Sequence, residues 1–441
     1  RVILITVDTL RADALSSYNN KAVPTPHMDA LAQDGILFEK AYSAAPWTVP
    51  SVASLMTGLP PQVHMMTRAE NKLPDNLPTL AEHMRSAGYH TGAIVSNPYL
   101  RPQIDIYRGF LEFANFPPPS IGQSIAAKFL KRLFPQRFRF EGPRTRELTD
   151  LAIDWIEEHS ENDFFLWLHY FDPHTPYTPP RDFLPPKLPP VAKSTTFYRS
   201  NDIFVGRYVP SLEQRAWIRD LYDAEVRYVD KSVGRFLAAL KRNNIYDDAL
   251  IVLTSDHGEE FFEHGRHGHA YSLYNEVLSV PLLIKLPNWA SHRRVAMPVS
   301  NSRIMPTLLQ LCQLDYDQNS VLGSSLVPLR NSDGGRQALP IFSTAVGDYE
   351  DRISLILDDI KYIRFLISKN REELYDLTQD PTEQVNLAPF RSHTVTRARE
   401  LLDKHNDTIK TLRKFHGVTR PGSEELDAET KKRLEAVGYV Q

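Results

Sequence analysis

A second cysteine, long apolar runs and an excess of charge of either sign are all missing from this sequence of 441 residues. Cys312 is the single cysteine, so the chain cannot form an internal disulfide, and zinc or redox motifs built from paired cysteines are excluded. It ends an apolar run of helical character, which predicts a buried helical position. No stretch approaches the roughly 20 apolar residues of a membrane-spanning helix. The formal net charge of −3 gives no electrostatic basis for binding nucleic acid.

With 42% hydrophobic and 24% charged residues, the composition is that of an ordinary globular protein. Four short apolar runs each lead into a polar residue, as buried parallel strands do. These polar ends are Asp8, Asn97, His169 and Asp256. Helical patterns lie between the runs, for example at 147–159 and 212–241. The alternation predicts an α/β fold with a mixed, mainly parallel sheet sandwiched by helices, and a ligand site beyond the carboxyl ends of the strands.

The change of pattern along the chain predicts two parts. Residues 1–345 form the large α/β domain, and residues 346–441 form a small subdomain with a short antiparallel sheet and a terminal helix. Residues 125–134 alternate basic and apolar positions at helical spacing. This segment is either a surface helix with a solvated basic side, or a lid or membrane-surface contact.

The segment WTVPSVASLMTG at 47–58 places a hydroxyl, that of Thr48, just before a Pro-Ser step that can open a helix. A threonine hydroxyl becomes a nucleophile when a metal ion lowers its pKa. The amino terminus of the helix would also favour an anionic group of a substrate. The alternative is that Thr48 merely caps the helix.

This segment resembles the active-site signature of the sulfatases, a family of the alkaline phosphatase superfamily. In chain order, VILITVDTLRAD at 2–13, TSDHGE at 254–259 and ELYDL at 373–377 extend the resemblance over the whole chain. Thr48 stands where the sulfatases carry a Cys or Ser that is oxidised to an aldehyde, and Val52 stands where they usually carry Arg. The resemblance therefore implies the sulfatase fold with a plain hydroxyl as nucleophile.

The resemblance also implies one divalent metal ion, bound by Asp8, Asp256, His257 and the Thr48 hydroxyl. Thr9 follows Asp8 where the family often has a second acidic residue, which leaves one ligand fewer. Carboxylate and imidazole ligands favour manganese or zinc, with calcium or magnesium as alternatives. The competing interpretation is a capping Asp and a structural His at the start of a helix.

His174 and His269 resemble family histidines that contact the transferred anion or the leaving oxygen, so both are candidate catalytic and substrate-binding residues. An imidazolium at either position could neutralise an oxygen or protonate a leaving group. Asn97 either binds a non-bridging oxygen of the substrate or only forms a turn before Pro98. The histidine-rich stretch 263–269 could share a second metal ion with His174.

We expect a metal-dependent hydrolase that cleaves phosphate, phosphonate or sulfate esters through a covalent Thr48 intermediate, with phosphoester chemistry favoured. The alternatives are a sulfuric ester hydrolase without formylglycine, a phospho-group transferase, and a catalytically silent protein that binds anions. The substrate is a small anionic ester, and its organic group is not encoded in a readable pattern. The family resemblance implies an extracytoplasmic or periplasmic location, although no signal peptide is visible, and the oligomeric state stays open.

Overall fold

A computed structural model describes residues 1–69, 71–116, 145–186, 203, 206–289, 291–327, 339–346, 351–368, 371–419 and 422–423. Residues 125–134 lie outside the described residues, so the choice between a surface helix and a membrane contact there stays a prediction. Within the described ranges, no helix combines the length and the apolar character needed to cross a membrane.

The described strands are β1 Val2–Val7, β2 Ile36–Phe38, β3 Ala41–Tyr42, β4 Asn71–Lys72, β5 His90–Val95, β6 Glu112–Asn115, β7 Phe164–Tyr170, β8 Leu250–Ser255, β9 Glu260–Phe261, β10 His267–Gly268, β11 Ser279–Val280, β12 Leu282–Lys285, β13 Arg293–Val295, β14 Val299–Ser300, β15 Ile341–Ala345, β16 Arg352–Leu357, β17 Ile360–Phe365, β18 Glu372–Asp376 and β19 Gly422–Ser423. The described α-helices are α1 Pro26–Gln33, α2 Thr48–Thr57, α3 Pro61–His64, α4 Leu80–Ser86, α5 Thr145–Glu158, α6 Leu212–Arg242, α7 Asn275–Leu278, α8 Ile304–Leu311 and α9 Ser392–Phe415.

Eight strands form the central sheet in the order β13-β2-β12-β8-β1-β7-β5-β6. β12 runs antiparallel to both of its neighbours, and the other neighbouring pairs are parallel. Val7 pairs with Tyr170 on β7 and with Ser255 on β8, so these three strands end level with one another. The predicted mixed, mainly parallel sheet is confirmed, and the residues after its strands meet at one edge.

Both faces of the central strands are covered by helices, which explains why these strands read as continuous apolar runs. On β1, Val2 and Leu4 pack into one core together with α2, α4 and α8. Ile3 and Ile5 point to the opposite core, which contains α1, α5 and α6. Each strand therefore buries side chains in two layers, and the sheet edge at its carboxyl ends is left for polar residues.

A second sheet, antiparallel and in the order β15-β16-β17-β18, follows the central one. One face packs on α9, where Leu355 and Leu374 meet Leu402. The small antiparallel sheet with a terminal helix is thus confirmed. β15, the first strand of this sheet, ends at Ala345, which is the last residue of the predicted large domain. The boundary between the two domains at residues 345 and 346 stays a prediction.

Cys312 comes directly after α8 and is partly exposed. The prediction of a buried helical position is therefore wrong. The apolar run ends with the helix at Leu311, and the apolar pattern alone did not reveal where the last turn closes.

A fully buried ion pair joins the small sheet to the large part of the chain. The Lys361 Nζ lies 2.8 Å from the Glu383 Oε1, and both side chains are fully shielded from solvent. Lys361 also donates to the Asn275 Oδ1 at 3.1 Å, while the Asn275 backbone N–H donates to the Glu383 Oε2 at 2.6 Å. The two charges, together with Asn275, thus hold together three separate segments of the chain.

We predict that Lys361→Met lowers the free energy of unfolding by about 3 to 5 kcal/mol, because Glu383 would remain buried without its counter-charge. The double variant Lys361→Met/Glu383→Gln should recover most of that loss, since Gln still accepts the Asn275 N–H. Thermal unfolding of the three proteins measures both effects. A single variant no less stable than the double variant would contradict the prediction.

Candidate active site

Thr48 is the first residue of α2 and is completely buried. The residue that caps this helix is Trp47, and its side chain makes no capping hydrogen bond. The Thr48 Oγ1 lies 3.3 Å from the His257 Nε2. The alternative in which Thr48 only caps a helix is therefore not supported, because its hydroxyl is turned towards the predicted ligand set.

The start of α2 is fixed to the end of β8 by a second hydroxyl of the same helix. The Ser51 Oγ donates to the backbone oxygen of Asp256 at 2.6 Å. It also accepts from the Asn301 Nδ2 at 3.2 Å and lies 2.9 Å from the Ser43 Oγ. Ser51 is thus a structural residue, and it sets the position of Thr48 relative to β8.

Asp8, Asp256 and His257 converge at the carboxyl ends of β1 and β8. One ligand atom from each lies within 4.8 Å of the others, and all three side chains are fully buried. The His257 Nε2 is 3.6 Å from the Asp8 Oδ1 and 3.5 Å from the Asp256 Oδ2. The opposite ring nitrogen, Nδ1, lies 2.9 Å from the carbonyl oxygen of Gly258 and can donate to it. This tautomer leaves the Nε2 lone pair directed at the carboxylates.

The residues present fit a divalent cation. The Asp8 Oδ1 and the Asp256 Oδ2 are buried and have no hydrogen-bond partner among the described residues. Burial, together with the nearby Asp256 carboxylate, raises the pKa of Asp8 well above its usual value. Two buried carboxylates side by side are unfavourable unless a positive charge lies between them. Oxygen and imidazole nitrogen ligands match manganese or zinc, and the identity of the ion stays a prediction.

Asn97 binds to the candidate ligand Asp8 in the structure. Its Nδ2 donates to the Asp8 Oδ2 at 2.6 Å, and its Oδ1 accepts the backbone N–H of Tyr99 at 2.7 Å. Asn97 thus forms the expected turn and also orients Asp8. A direct contact with a substrate oxygen stays a prediction.

His169 is a positioning residue that the sequence showed only as the polar end of a strand. Its Nε2 lies 3.5 Å from the Asp8 Oδ2, and its Nδ1 lies 2.8 Å from the Thr6 Oγ1. Burial lowers the pKa of His169 to about 4, so the ring is neutral at pH 7. The sequence signal that could have identified His169 is its place at the end of an apolar run, where polar residues of a parallel sheet meet.

His174 and His269 lie together beside the ligand set. Both are buried, and their ring centroids are 5.0 Å apart, while His269 lies 4.3 Å from the ring of His257. The His269 Nδ1 is 2.7 Å from the Glu259 Oε1, and the other oxygen of Glu259 accepts from the Tyr177 hydroxyl at 2.8 Å. Glu259 follows the Asp-His-Gly segment and was not predicted as a site residue.

The two histidines are neutral in the absence of substrate. Burial, and next the proximity of His269, lower the pKa of His174 to about 3. Burial, followed by the nearby His257, lowers the pKa of His269 well below its usual value. The role of an imidazolium at either position, neutralising an oxygen or protonating a leaving group, stays a prediction. A bound anion would raise both pKa values, because a nearby negative charge favours the protonated ring.

The histidine-rich stretch turns partly away from this site. The His264 Nδ1 lies 2.5 Å from the Glu276 Oε1, and its ring stacks on Tyr274 with centroids 3.6 Å apart. The described part of the chain contains two groups of three side chains that could hold a metal ion. Neither of these groups includes a residue of 263–269. A second ion shared with His174 stays a prediction.

A family model described as "Sulfatase" matches residues 1–314, and one described as "N-sulphoglucosamine sulphohydrolase, C-terminal" matches residues 263–413. The chain belongs to the sulfatase family. It is accordingly a hydrolase that acts on ester bonds. The four residues Asp8, Thr48, Asp256 and His257 all lie within the first matched range.

Relatives of this sulfatase-family chain cover nearly its whole length. A sulfatase from Formosa agariphila is 28% identical over 450 residues, which span 92% of this chain and 87% of that protein. A protein solved in complex with its substrate D-glucosamine-2-N,6-O-disulfate has a TM-score of 0.74 at 19% identity, covering 93% and 98% of the two chains. The phosphonate monoester hydrolase from Silicibacter pomeroyi has a TM-score of 0.72 at 24% identity, covering 93% and 95%. The two structures establish the shared fold.

We predict opposite effects of Asp256→Asn on metal binding and on the stability of the metal-free protein. The variant keeps an oxygen to accept the His257 backbone N–H, a bond of 2.9 Å in the structure, but loses one of two crowded charges. Bound manganese or zinc, measured by elemental analysis, should fall by one ion per chain. Thermal unfolding after chelation should show a variant at least as stable as the unmodified protein. Unchanged metal content would contradict the assignment of Asp256 as a ligand.

We further predict that Glu259→Gln lowers turnover by about 10- to 100-fold, by analogy with the cost of removing a carboxylate that orients a metal-ligating histidine. Tyr177→Phe is the matched control, because it removes the other partner of Glu259 and leaves the carboxylate beside His269. Its turnover should fall less. Steady-state kinetics of the two variants, measured at equal metal content, compares their losses of turnover. A larger loss in Tyr177→Phe than in Glu259→Gln would contradict the role of Glu259 in orienting His269.

Proposed function

We propose that this protein is a metal-dependent hydrolase that cleaves phosphate, phosphonate or sulfate esters through a covalent intermediate on Thr48, with phosphoester or phosphonate chemistry favoured. The observation that carries the proposal is the buried Thr48 hydroxyl, 3.3 Å from the His257 Nε2 within the Asp8, Asp256 and His257 set. A hydroxyl that served only packing would not need to face a group of metal ligands.

Asp8, Asp256 and His257 would hold the cation, and Thr48 would complete the ligand set. The bound ion supplies a Lewis acid that lowers the pKa of the Thr48 hydroxyl and clamps the ester group. The Thr48 hydroxyl gives up its proton as its oxygen attacks phosphorus or sulfur, and the bond to the leaving oxygen breaks. The leaving oxygen takes up a proton and departs as the alcohol, which leaves the anion esterified on Thr48. The amino terminus of α2 favours negative charge at this position.

His269 is suited to the second step. If its Nδ1–H donates to Glu259, its Nε2 is the basic nitrogen, and the low pKa of the buried ring keeps it unprotonated. A water molecule attacks the phosphorus or sulfur, one water proton passes to the His269 Nε2, and the bond to the Thr48 oxygen breaks. The Thr48 oxygen then regains a proton and the acid anion leaves. His174, beside His269, would contact the oxygens of the transferred group.

The choice of phosphorus over sulfur rests on the chemistry of threonine. A threonine has a single hydroxyl on Cβ, so its ester cannot collapse to an aldehyde and expel sulfate. The intermediate must be cleaved by water or passed to an acceptor, which suits in-line attack at phosphorus. The phosphonate monoester hydrolase among the structural neighbours supports this preference.

Sulfate ester hydrolysis without formylglycine is the second candidate. The match to the sulfatase family model and the sulfatase of Formosa agariphila favour it. Transfer of a phospho-group to an acceptor alcohol would use the same first step. A catalytically silent anion-binding protein is disfavoured, because it would have no need for the Thr48 hydroxyl, the metal ligands and the Glu259–His269 pair together.

We predict that Thr48→Ala lowers turnover by at least about 10³-fold, since it removes the nucleophile and leaves the three other ligands in place. Ser51→Ala is the matched control on the same helix, because it removes a buried hydroxyl that contacts the Asp256 backbone. It should cost about 1 kcal/mol of stability with a much smaller effect on turnover. Near-normal turnover in Thr48→Ala would overturn the covalent mechanism.

A substrate panel tests the rest of the proposal. Aryl sulfate, phosphate monoester, phosphate diester and phosphonate monoester substrates are assayed with manganese and with zinc. Highest activity on a phosphorus ester, with a matching mass adduct on the Thr48 peptide, is the expected result. Activity confined to the aryl sulfate would replace the phosphoester preference with sulfate ester hydrolysis, and a bound metal without any turnover would favour the silent binder.

A further inference from the structure

A second group of metal-ligand side chains lies at the opposite edge of the central sheet from the active site. His90 opens β5, Glu112 opens β6, and His159 directly follows α5. β5 leads away from His90 towards Asn97 in the active site, seven residues later. At about 3.3 Å per strand residue, the two sites are roughly 23 Å apart. The group therefore has no direct part in the chemistry at Thr48.

Three ligand atoms converge in this group. The His90 Nε2 lies 2.5 Å and the His159 Nε2 lies 3.1 Å from the same oxygen, the Glu112 Oε1, and the three atoms are within 4.8 Å of one another. The two imidazole rings stack, with centroids 4.1 Å apart, so both present their Nε2 edges to the carboxylate. Ligands of one tetrahedral ion at about 2.0 to 2.1 Å would be about 3.3 Å apart. The separation of 3.1 Å between the His159 Nε2 and the Glu112 Oε1 is close to this value, whereas the His90 Nε2, at 2.5 Å, would have to move away from that oxygen.

One ring of the group is left without a hydrogen bond. The Glu112 Oε1 makes its hydrogen bond with the His90 Nε2. The His159 Nε2 is a buried atom without a hydrogen-bond partner among the described residues, although the same oxygen is only 3.1 Å away. A cation between the three atoms would give each of them a partner, because each atom would then direct a lone pair at a positive charge.

Neighbouring side chains hold the group in place as partners of metal ligands do. The Trp155 Nε1 donates to the other Glu112 oxygen, Oε2, at 2.8 Å. The Asn162 side-chain amide lies 3.4 Å from the His159 Nδ1, and half a turn of that amide would present its oxygen to an Nδ1–H.

We propose that His90, Glu112 and His159 bind one divalent transition-metal ion of the zinc class. Two imidazole nitrogens and one carboxylate oxygen select zinc, copper or nickel over magnesium or calcium. The side chains of His90 and Glu112 are 27% and 43% exposed, so an ion can enter from solution and water can complete its coordination. The ion would fasten the end of α5 to β5 and to the edge strand β6, a structural role at the sheet edge.

The test is a zinc count on the full chain. Unmodified protein, His159→Gln, His90→Gln and the control His393→Gln, which removes an exposed histidine of α9, are dialysed to equilibrium against buffered Zn²⁺ and analysed for bound metal. We expect His159→Gln and His90→Gln each to bind one zinc ion fewer per chain than both the unmodified protein and the control. Turnover per chain should be equal in all four proteins.

Thermal unfolding with and without Zn²⁺ provides the second measurement. Zn²⁺ should raise the melting temperature less in His159→Gln than in the control, because the variant lacks the ion bound by His90, Glu112 and His159. Asp256→Asn affects only the ion of the active site. It should therefore keep the rise in melting temperature that comes from the ion at His159. Equal zinc counts in all proteins would overturn the proposal. Lower stability of the His159 variant in chelator, with an unchanged zinc count, would also overturn it and identify a hydrogen-bonded histidine–carboxylate cluster instead.

Discussion

The active site depends on one electrostatic constraint: two carboxylates, those of Asp8 and Asp256, are buried within a few ångströms of each other. The parallel register of β1 and β8 imposes this, because Val7 and Ser255 are paired and the acidic residues follow them directly. Like charges at this distance in a dry interior are unfavourable unless a cation joins them. The surrounding contacts from Asn97, His169 and the backbone serve to hold this arrangement in one geometry.

Thr48, the proposed nucleophile, is held next to this pair of carboxylates by contacts from both parts of the chain. Ser51 fixes the start of α2 to the Asp256 backbone, while the small sheet supports the loop that leads into Thr48. The Ser343 Oγ donates to the Ser43 carbonyl at 2.6 Å, and the Thr344 backbone N–H donates to the Ala44 carbonyl at 2.9 Å. The C-terminal sheet is thus part of the scaffold of the active site, which explains why the family signature extends into it.

The sequence was sufficient to predict where a residue lies when its position depends on local context. Asp8 and Asp256 follow apolar strands, and strand ends in a parallel sheet meet at one edge. It was insufficient for partners fixed by packing, such as Glu259, whose two contacts lie 10 and 82 residues away. The protonation of His174 and His269 could not be predicted either, because it depends on how much solvent the fold removes. The group of His90, Glu112 and His159 has no motif and forms only when β5, β6 and α5 pack.

The charges of the site also bear on which ester it accepts. Thr9 in place of a second acidic residue leaves two ligand carboxylates, which a divalent cation would neutralise. Burial keeps His174 and His269 neutral before an anion arrives, so neither ring offers a positive charge in advance. Apart from the amino terminus of α2, an additional negative charge on a ligand could be balanced by protonating one of these buried rings. We therefore expect the site to favour esters with one negative charge, such as phosphonate monoesters, phosphate diesters and sulfate monoesters, over the doubly charged phosphate monoesters.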